Sequence, residues 1–284
     1  MLNVNRYGEV TRIELARSIL GRGLYWTTAY LVGCTLIDSG PAHTSRSLSR
    51  FLQDKPLTQI LNTHAHEDHI GANGLLQRQR EGLNIYAHPE AIPILENPVE
   101  EQPLQLYRQI MWGWPEACQV EPIRDGGKVT DGNLDLEVLH TPGHTEHHLC
   151  FYEPNRGWLF SGDLFIGGRD RALGAGNDIW QIIASLKRLA KLPANTLFPG
   201  SARVRTDPQG ALQKRIHILE DLGDQILSLH RKGWKESRIA SEVSGGPMWI
   251  ELFTGGHFSR VHLVRSFLRQ PRPQSTGEVD DHGS

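Results

Sequence analysis

The stretch THAHEDHIGAN, residues 63–73, decides the fold and the chemistry of this chain. It gathers four potential metal ligands, His64, His66, Asp68 and His69. Imidazole nitrogens and carboxylate oxygens are ligands for zinc and for comparable divalent first-row metals. The stretch is predicted to be a loop between the strand LTQILNT and the helix HIGANGLLQRQR, and such a loop can direct alternate side chains toward one point. The sequence therefore predicts a metal site here.

Strands and helices are predicted to alternate on both sides of this loop. Upstream lie a strand around residues 13–15, the segment TTAYLVGCTLID with a hairpin turn at Gly33 and Cys34, and a helix over SRSLSRFLQD. Downstream lie the strand NIYAH, the short helix PEAIPIL, the strands LDLEVLHT, LCFYEP and WLFSGDLF, the helix DIWQIIASLKRLAKLP and the strand TLFPG. This alternation predicts a mixed α/β (α+β) domain.

The pattern also predicts how the chain divides. Residues 1–200 form the β-rich domain, within which residues 97–124 look like an inserted lid, because they place apolar side chains on one helical face leading into WGWPEA. Residues 201–270 are predicted to be a small helical C-terminal domain. The polar, proline-containing residues 271–284 are predicted to be disordered.

Composition excludes several classes of protein. The 284 residues carry a formal net charge of −2, so the chain has no overall attraction for nucleic acid or anionic lipid, and a small-molecule substrate is expected. Cys34, Cys118 and Cys150 include no CxxC pair, which argues against a disulfide framework. The sequence shows no signal-peptide pattern and no apolar run of membrane-spanning length, so a cytoplasmic location is expected. It makes no prediction of the oligomeric state.

The segment HAHEDH resembles the HxHxDH signature of the metallo-beta-lactamase superfamily, whose domains are four-layered αββα sandwiches. Further superfamily motifs follow in order. Asp38 in LIDSG resembles the strand-end aspartate that orients the metal loop. His144 in TPGHT and Asp163 in FSGDLF match the third and fourth motifs.

The resemblance implies a set of ligands. His64, His66 and His144 would hold a first metal, while Asp68 and His69 would contribute to a second metal that shares Asp163. His148, close to the third motif, is expected to help orient the ligands.

The fifth motif departs from the family pattern, because Ser201 follows TLFPG where many relatives have a histidine. A hydroxyl is a poorer zinc ligand than an imidazole. The sequence therefore predicts one tight zinc site and a second site that is weak or absent, with iron or manganese as alternative metals.

The resemblance implies hydrolysis by a metal-bound hydroxide. Asp68 would orient the attacking water or bind the second metal, and His69 would assist it. The order of FSGDLFIGG and LFPG resembles hydroxyacylglutathione hydrolases, which favours a thioester or other activated ester as the substrate. Two alternatives stay open: a phosphodiesterase or ribonuclease of the lactamase-like type, and an iron-binding redox protein on the same fold.

Several side chains are candidates for substrate binding. Arginines in the loops after Asp163 and after the fifth motif could bind an anion, or they could be solvated surface groups. Two tryptophans of the lid could cover an apolar pocket, or they could belong to the core. These candidates are Arg169, Arg171, Arg203, Trp112 and Trp114.

Overall fold

Two β-sheets dominate the computed structural model, which describes residues 1–132, 134–168, 171–246 and 248–269. The first sheet has seven strands in sequence order: β1 (Leu2–Tyr7), β2 (Val10–Ile19), β3 (Arg22–Val32), β4 (Thr35–Ile37), β5 (Gln59–Leu61), β6 (Asn84–Ala87) and β7 (Glu121–Pro122). Strands β1 to β4 pair antiparallel, whereas β4 to β7 pair parallel.

The second sheet has five strands in the order β13-β11-β10-β9-β8. Their bounds are β8 (Lys128–Asp131), β9 (Leu134–His140), β10 (Leu149–Glu153), β11 (Trp158–Gly162) and β13 (Thr196–Pro199). A third, two-stranded sheet pairs β12 (Leu173–Gly174) with β14 (Phe258–Ser259).

Helices cover the outer faces of the two large sheets and connect the strands. They are α1 (Ser45–Leu52), α2 (Glu67–Ile70), α3 (Asn73–Gln79), α4 (Ile92–Glu96), α5 (Pro98–Glu101), α6 (Leu106–Met111), α7 (Ile179–Leu189), α8 (Pro208–Arg231), α9 (Glu236–Ser244), α10 (Trp249–Phe253) and α11 (Arg260–Leu268). No helix among the residues described is long and apolar enough to cross a bilayer.

The strands alternate between two cores, as side chains of period two require. In β3, Ala29 and Leu31 pack outward with the helices, while Tyr30 and Val32 face the second sheet. Strand β10 repeats the pattern, with Cys150 in the outer core and Phe151 between the sheets. The order of layers is therefore helix, sheet, sheet, helix, which confirms the predicted αββα sandwich.

The C-terminal helices pack against the second sheet. Leu212 and Leu219 of α8 and Phe267 of α11 share one hydrophobic core with Leu186 of α7 and Leu159 of β11. The indole Nε1 of Trp180 donates a hydrogen bond to the carbonyl oxygen of Phe267 at 3.1 Å. The division into residues 1–200 and 201–270 stays a prediction, and residues 271–284 lie outside the described part of the chain.

The predicted helix HIGANGLLQRQR is two helices, α2 and α3, separated at Gly71. The amide of Gly71 donates to the carbonyl oxygen of Gly40 at 2.7 Å. A Cβ at position 71 would lie 2.1 Å from the amide nitrogen of Ala42, so only glycine allows this close approach. The break keeps the metal-loop residues on their own short turn.

Candidate metal centre

Three imidazoles meet at the edge of the sandwich where β5 and β9 end. The Nε2 atom of His64 lies 3.0 Å from Nδ1 of His66, and Nε2 of His144 also lies 3.0 Å from that Nδ1. Tetrahedral zinc with bonds of about 2.0–2.1 Å separates two nitrogen ligands by about 3.3 Å. The spacing of the three nitrogens fits one such ion.

These rings are held in the neutral form that a metal needs. Burial and the neighbouring imidazoles keep the pKa values of His64 and His66 well below the usual range. Burial, partly opposed by Asp163, lowers the pKa of His144 to about 4. Each ring therefore keeps a lone pair for coordination near neutral pH.

A second set of donors adjoins the first and consists of His64, His69 and Asp163. The Nε2 atom of His69 is buried, has no hydrogen-bond partner among the described residues, and lies 3.5 Å from Oδ2 of Asp163 and 3.8 Å from Oδ2 of Asp68. A buried nitrogen facing two carboxylates fits a site for a cation. The donors present therefore suit a metal here as well.

Asp38 connects both sets of ligands. It follows β4 with a left-handed φ of 57°, a strained conformation for a residue other than glycine. Its Oδ1 accepts from the amide of Thr63 at 2.8 Å, and its Oδ2 accepts from Thr63 Oγ1 and His69 Nδ1, both at 2.8 Å. Thr63 Oγ1 is in turn 3.0 Å from Nδ1 of His64.

His148 lies behind the ligands. Its ring stacks on that of His64, with 5.2 Å between centroids and 28° between planes. Its Nδ1 is 3.0 Å from Thr141 Oγ1, and the whole side chain is buried. These contacts suit a residue that holds the His64 ring in place, and that role stays a prediction.

Ser201 is directed at the site. Its Oγ donates to Oδ1 of Asp163 at 2.9 Å. The backbone before it is tightly placed, because a Cβ at Gly200 would lie 2.5 Å from that same carboxylate oxygen. A side chain at position 201 can therefore reach the metal site.

Some contacts of the site were missed by the sequence analysis. Thr27 Oγ1 donates to Oδ2 of Asp68 at 3.2 Å, and Arg108 Nε of the lid donates to Oε1 of Glu67 at 2.6 Å. The Glu67 and Arg108 side chains form a buried ion pair beside the metal loop. No local motif marks these partners, because each pair joins residues that are 41 positions apart.

Tyr25 was also missed, and a bulge in β3 places it. The register between β2 and β3 shifts between Leu15 and Arg17, and Tyr25 opposite this shift has a left-handed φ of 50°. The side chain is 51% exposed, so about half of its surface meets solvent and the rest is covered by the protein. Burial, followed by the carboxylates of Asp163 and Asp68, raises the pKa of this hydroxyl well above its usual value.

The ring of Tyr25 begins a row of aromatic contacts around the site. It packs edge-on against Trp112 at 5.3 Å between centroids, and Trp112 lies 6.1 Å from Tyr107 of the lid. Tyr107 contacts Phe253 of α10 at 5.7 Å, and its hydroxyl lies 2.5 Å from Nδ1 of His257. The β2–β3 hairpin, helix α6 and the C-terminal segment are therefore in contact through these rings.

The other substrate-binding candidates have different surroundings. Trp114 is partly buried, and Arg203 is exposed. The Nε atom and one terminal nitrogen of Arg171 donate to the carbonyl oxygen of Ser244 at 3.0 and 2.7 Å. Arg169 lies outside the described residues. The role of these residues in substrate binding stays a prediction.

Comparisons with known proteins place this geometry in a family context. The family model described as the metallo-beta-lactamase superfamily matches residues 24–201. A hydroxyacylglutathione hydrolase of Legionella pneumophila (strain Lens) is 35% identical over 155 residues, 54% of this chain and 51% of the relative. The chain thus spans about half the length of the curated hydrolases that it matches. The beta-lactamase-like protein 2 homolog of Drosophila melanogaster is 25% identical over 78% of this chain and 73% of the relative.

Solved structures share the fold. A metallo-beta-lactamase family protein from Thermus thermophilus superposes with a TM-score of 0.67 and 19% identity, covering 92% of both chains. Another protein, solved in a di-iron-bound form, has a TM-score of 0.52 and 31% identity, covering 67% of this chain and 94% of that one.

Proposed function

This chain belongs to the metallo-beta-lactamase superfamily, whose family model matches more than half of it, and on that premise we propose that it is a metal-dependent hydrolase of thioesters or other activated esters. The observation that carries the proposal is the cluster of three neutral imidazoles, His64, His66 and His144, in which Nδ1 of His66 lies 3.0 Å from Nε2 of each of the other two. The similarity to hydroxyacylglutathione hydrolases supports a thioester as the substrate.

Each part of the centre has a proposed place in metal binding. His64, His66 and His144 hold the first ion, and Asp68, His69 and Asp163 contribute to the second. Zinc is the metal that we propose, with iron or manganese as alternatives that the same donors accept. When bound, the metal polarises the scissile carbonyl and lowers the pKa of water, so that hydrolysis needs no protein nucleophile.

The side chains around the metal orient the reactants. Thr27 donates a hydrogen bond to Oδ2 of Asp68. When no second ion is bound, the Asp68 carboxylate so held would accept a proton from the attacking water and pass it to the departing sulfur. Hydrolysis breaks the bond between the acyl carbon and sulfur. The oxygen of water ends in the product carboxylate and one of its protons ends on the thiol.

We assign the hydroxyl of Tyr25 to the substrate carbonyl. The bulge in β3 places this phenol near the carboxylates of the site, and burial together with their charge raises its pKa, which keeps it protonated. A protonated phenol donates a hydrogen bond to the oxygen that gains negative charge in the transition state. The exposed ring edge and Trp112 leave the larger thiol part of the substrate on the solvent side.

The test is release of thiol from glutathione and coenzyme A thioesters by protein loaded with zinc, iron or manganese. We expect turnover with at least one metal and loss of turnover in His66→Ala and Asp163→Asn, with the far-UV spectrum unchanged because neither side chain is a member of a hydrophobic core. Matched controls are His217→Ala and Asp221→Asn, which change exposed residues of α8 and should keep full activity.

Two results would contradict the proposal. One is full activity in either site variant. The other is cleavage of RNA or a phosphodiester by the same preparations with no release of thiol, which would favour the lactamase-like nuclease instead.

A further inference from the structure

A small cavity lies directly against the candidate metal ligands. Its volume is about 60 Å³, and the side chains of His144 and Asp163 form one wall. The remaining walls are mainly apolar, with Leu164, Leu173 and Phe258 among them. No sequence motif predicts this cavity, because Phe258 is remote from the metal-ligand motifs in the sequence.

We propose that this cavity binds the acyl group of the substrate and that Phe258 limits the length of the acyl chain. The inference rests on the proposed thioesterase function and names the part of the substrate that the chain selects: a short, uncharged acyl group.

The C-terminal segment fixes the wall that contains Phe258. Strand β14 pairs antiparallel with β12, so that Phe258 lies opposite Gly174 and Ser259 opposite Leu173. The hydroxyl of Ser259 accepts from the amide of Val261 at 3.1 Å and caps α11. Helix α11 then packs into the core beside the second sheet, which anchors the wall.

Two polar side chains at the cavity donate hydrogen bonds to backbone carbonyls. Asn177 Nδ2 donates to the carbonyl oxygen of His144, and a terminal nitrogen of Arg215 donates to the carbonyl oxygen of Gly168 at 2.9 Å. The other lining residues are mainly apolar, so an occupant meets mostly hydrocarbon surface. Burying a charge or an unpaired polar group against such a surface is costly, which favours an aliphatic group.

The volume sets the size of that group. An apolar cavity of about 150 Å³ holds one benzene molecule, so a cavity of 60 Å³ has room for about two to three carbon atoms. A thioester has two arms at the scissile carbon. Because the Tyr25 side chain is half exposed, we assign the bulky thiol to that side of the site, and the cavity takes the short acyl arm.

The experiment compares thioesters of one thiol, glutathione, with straight acyl chains from acetyl to octanoyl. We expect kcat/KM to fall at least about tenfold once the acyl chain outgrows the cavity, since one misfitting methylene is worth roughly 10–200-fold. In Phe258→Ala the ratio of hexanoyl to acetyl turnover should rise at least about tenfold, since the shortened side chain opens the cavity. Leu252→Ala is the matched control, because Leu252 belongs to the same segment, is 89% exposed and does not line the cavity.

A second readout does not depend on turnover. Short straight-chain carboxylates, as product analogues, should raise the melting temperature of the wild-type protein up to about butyrate, and hexanoate should do so only in Phe258→Ala. If Phe258→Ala folds poorly, Phe258→Leu repeats both measurements with a smaller change. Equal values of kcat/KM along the acyl series would overturn the inference. So would a ratio of hexanoyl to acetyl turnover that is unchanged in both Phe258→Ala and Phe258→Leu. Absence of any thiol release overturns the proposed function, and the carboxylate series then still decides whether the cavity takes short acyl chains.

Discussion

The Asp38 carboxylate fixes which ring nitrogen carries the proton in two histidines. An ionised carboxylate only accepts hydrogen bonds, so Thr63 Oγ1 and His69 Nδ1 both donate to it. The Thr63 hydroxyl donates its single proton to Asp38, so its oxygen accepts a hydrogen bond from Nδ1 of His64. The Nε2 atoms of His64 and His69 are thus both directed at the metal site, which explains why a strained backbone is tolerated at Asp38.

At the same scale, Ser201 determines the expected number of tightly bound metals. The second site lacks a histidine at this position, so we expect one tight metal per chain and a second only when metal is in excess. Ser201→His should tighten the second site, because the side chain at 201 already points at Asp163. Metal titration of dialysed protein measures both, with Ser237→His on the exposed face of α9 as the control. Two equally tight metals in the unmodified protein would show this account to be wrong.

Tyr25 provides the second prediction for a single residue. Tyr25→Phe removes the proposed donor to the substrate oxygen but keeps the ring against Trp112. We expect kcat to fall by about a hundredfold with KM nearly unchanged, since loss of an oxyanion donor costs roughly 10²–10³. Steady-state kinetics measures kcat and KM separately. The control is Tyr7→Phe, whose ring packs on Phe198, and it should behave as wild type. A change confined to KM would give Tyr25 a role in binding only.

Among the elements, the lid helix α6 is attached to the metal loop by a buried ion pair. Arg108→Ala leaves Glu67 charged and uncompensated in the interior, so the free energy of unfolding should fall by about 3–5 kcal/mol. Denaturant unfolding of the metal-free protein measures this loss. Arg78→Ala is the control. Arg78 forms an ion pair with Glu116 in which both side chains are more than half exposed, and exposed ion pairs stabilise a protein by about 0–1 kcal/mol. Equal effects of the two substitutions would mean that the buried pair does not stabilise the lid.

The elements also show what the sequence could predict. Strands such as β3 and β10 alternate apolar side chains on both faces, and the ligand motifs are contiguous, so the sandwich and the histidine cluster were predictable. Strand β1 was not predicted, because most of its side chains are exposed and show no burial pattern. The bulge at Tyr25 depends on pairing with β2, and the Thr27 and Arg108 contacts depend on tertiary folding, so neither has a local signal.

In the whole molecule, the C-terminal helices and the second sheet have a common core. A chain ending at Asp207 would expose the side chains of α7 that pack on α8 and α11, so we expect it to aggregate or to lose its near-UV signal. The full chain should unfold in one transition by circular dichroism and by tryptophan fluorescence. A chain ending at Arg269 keeps every described residue of this core and is the control. A native-like truncated protein would instead support an independent helical domain.

The position of Glu67 between His66 and Asp68 links helix α6 thermodynamically to the metal site. Metal bound by the neighbours of Glu67 would also fix the carboxylate to which Arg108 donates. By linkage, the factor by which bound metal strengthens this contact equals the factor by which the contact raises metal affinity. A substitution that removes the contact should therefore weaken metal binding as well as the fold.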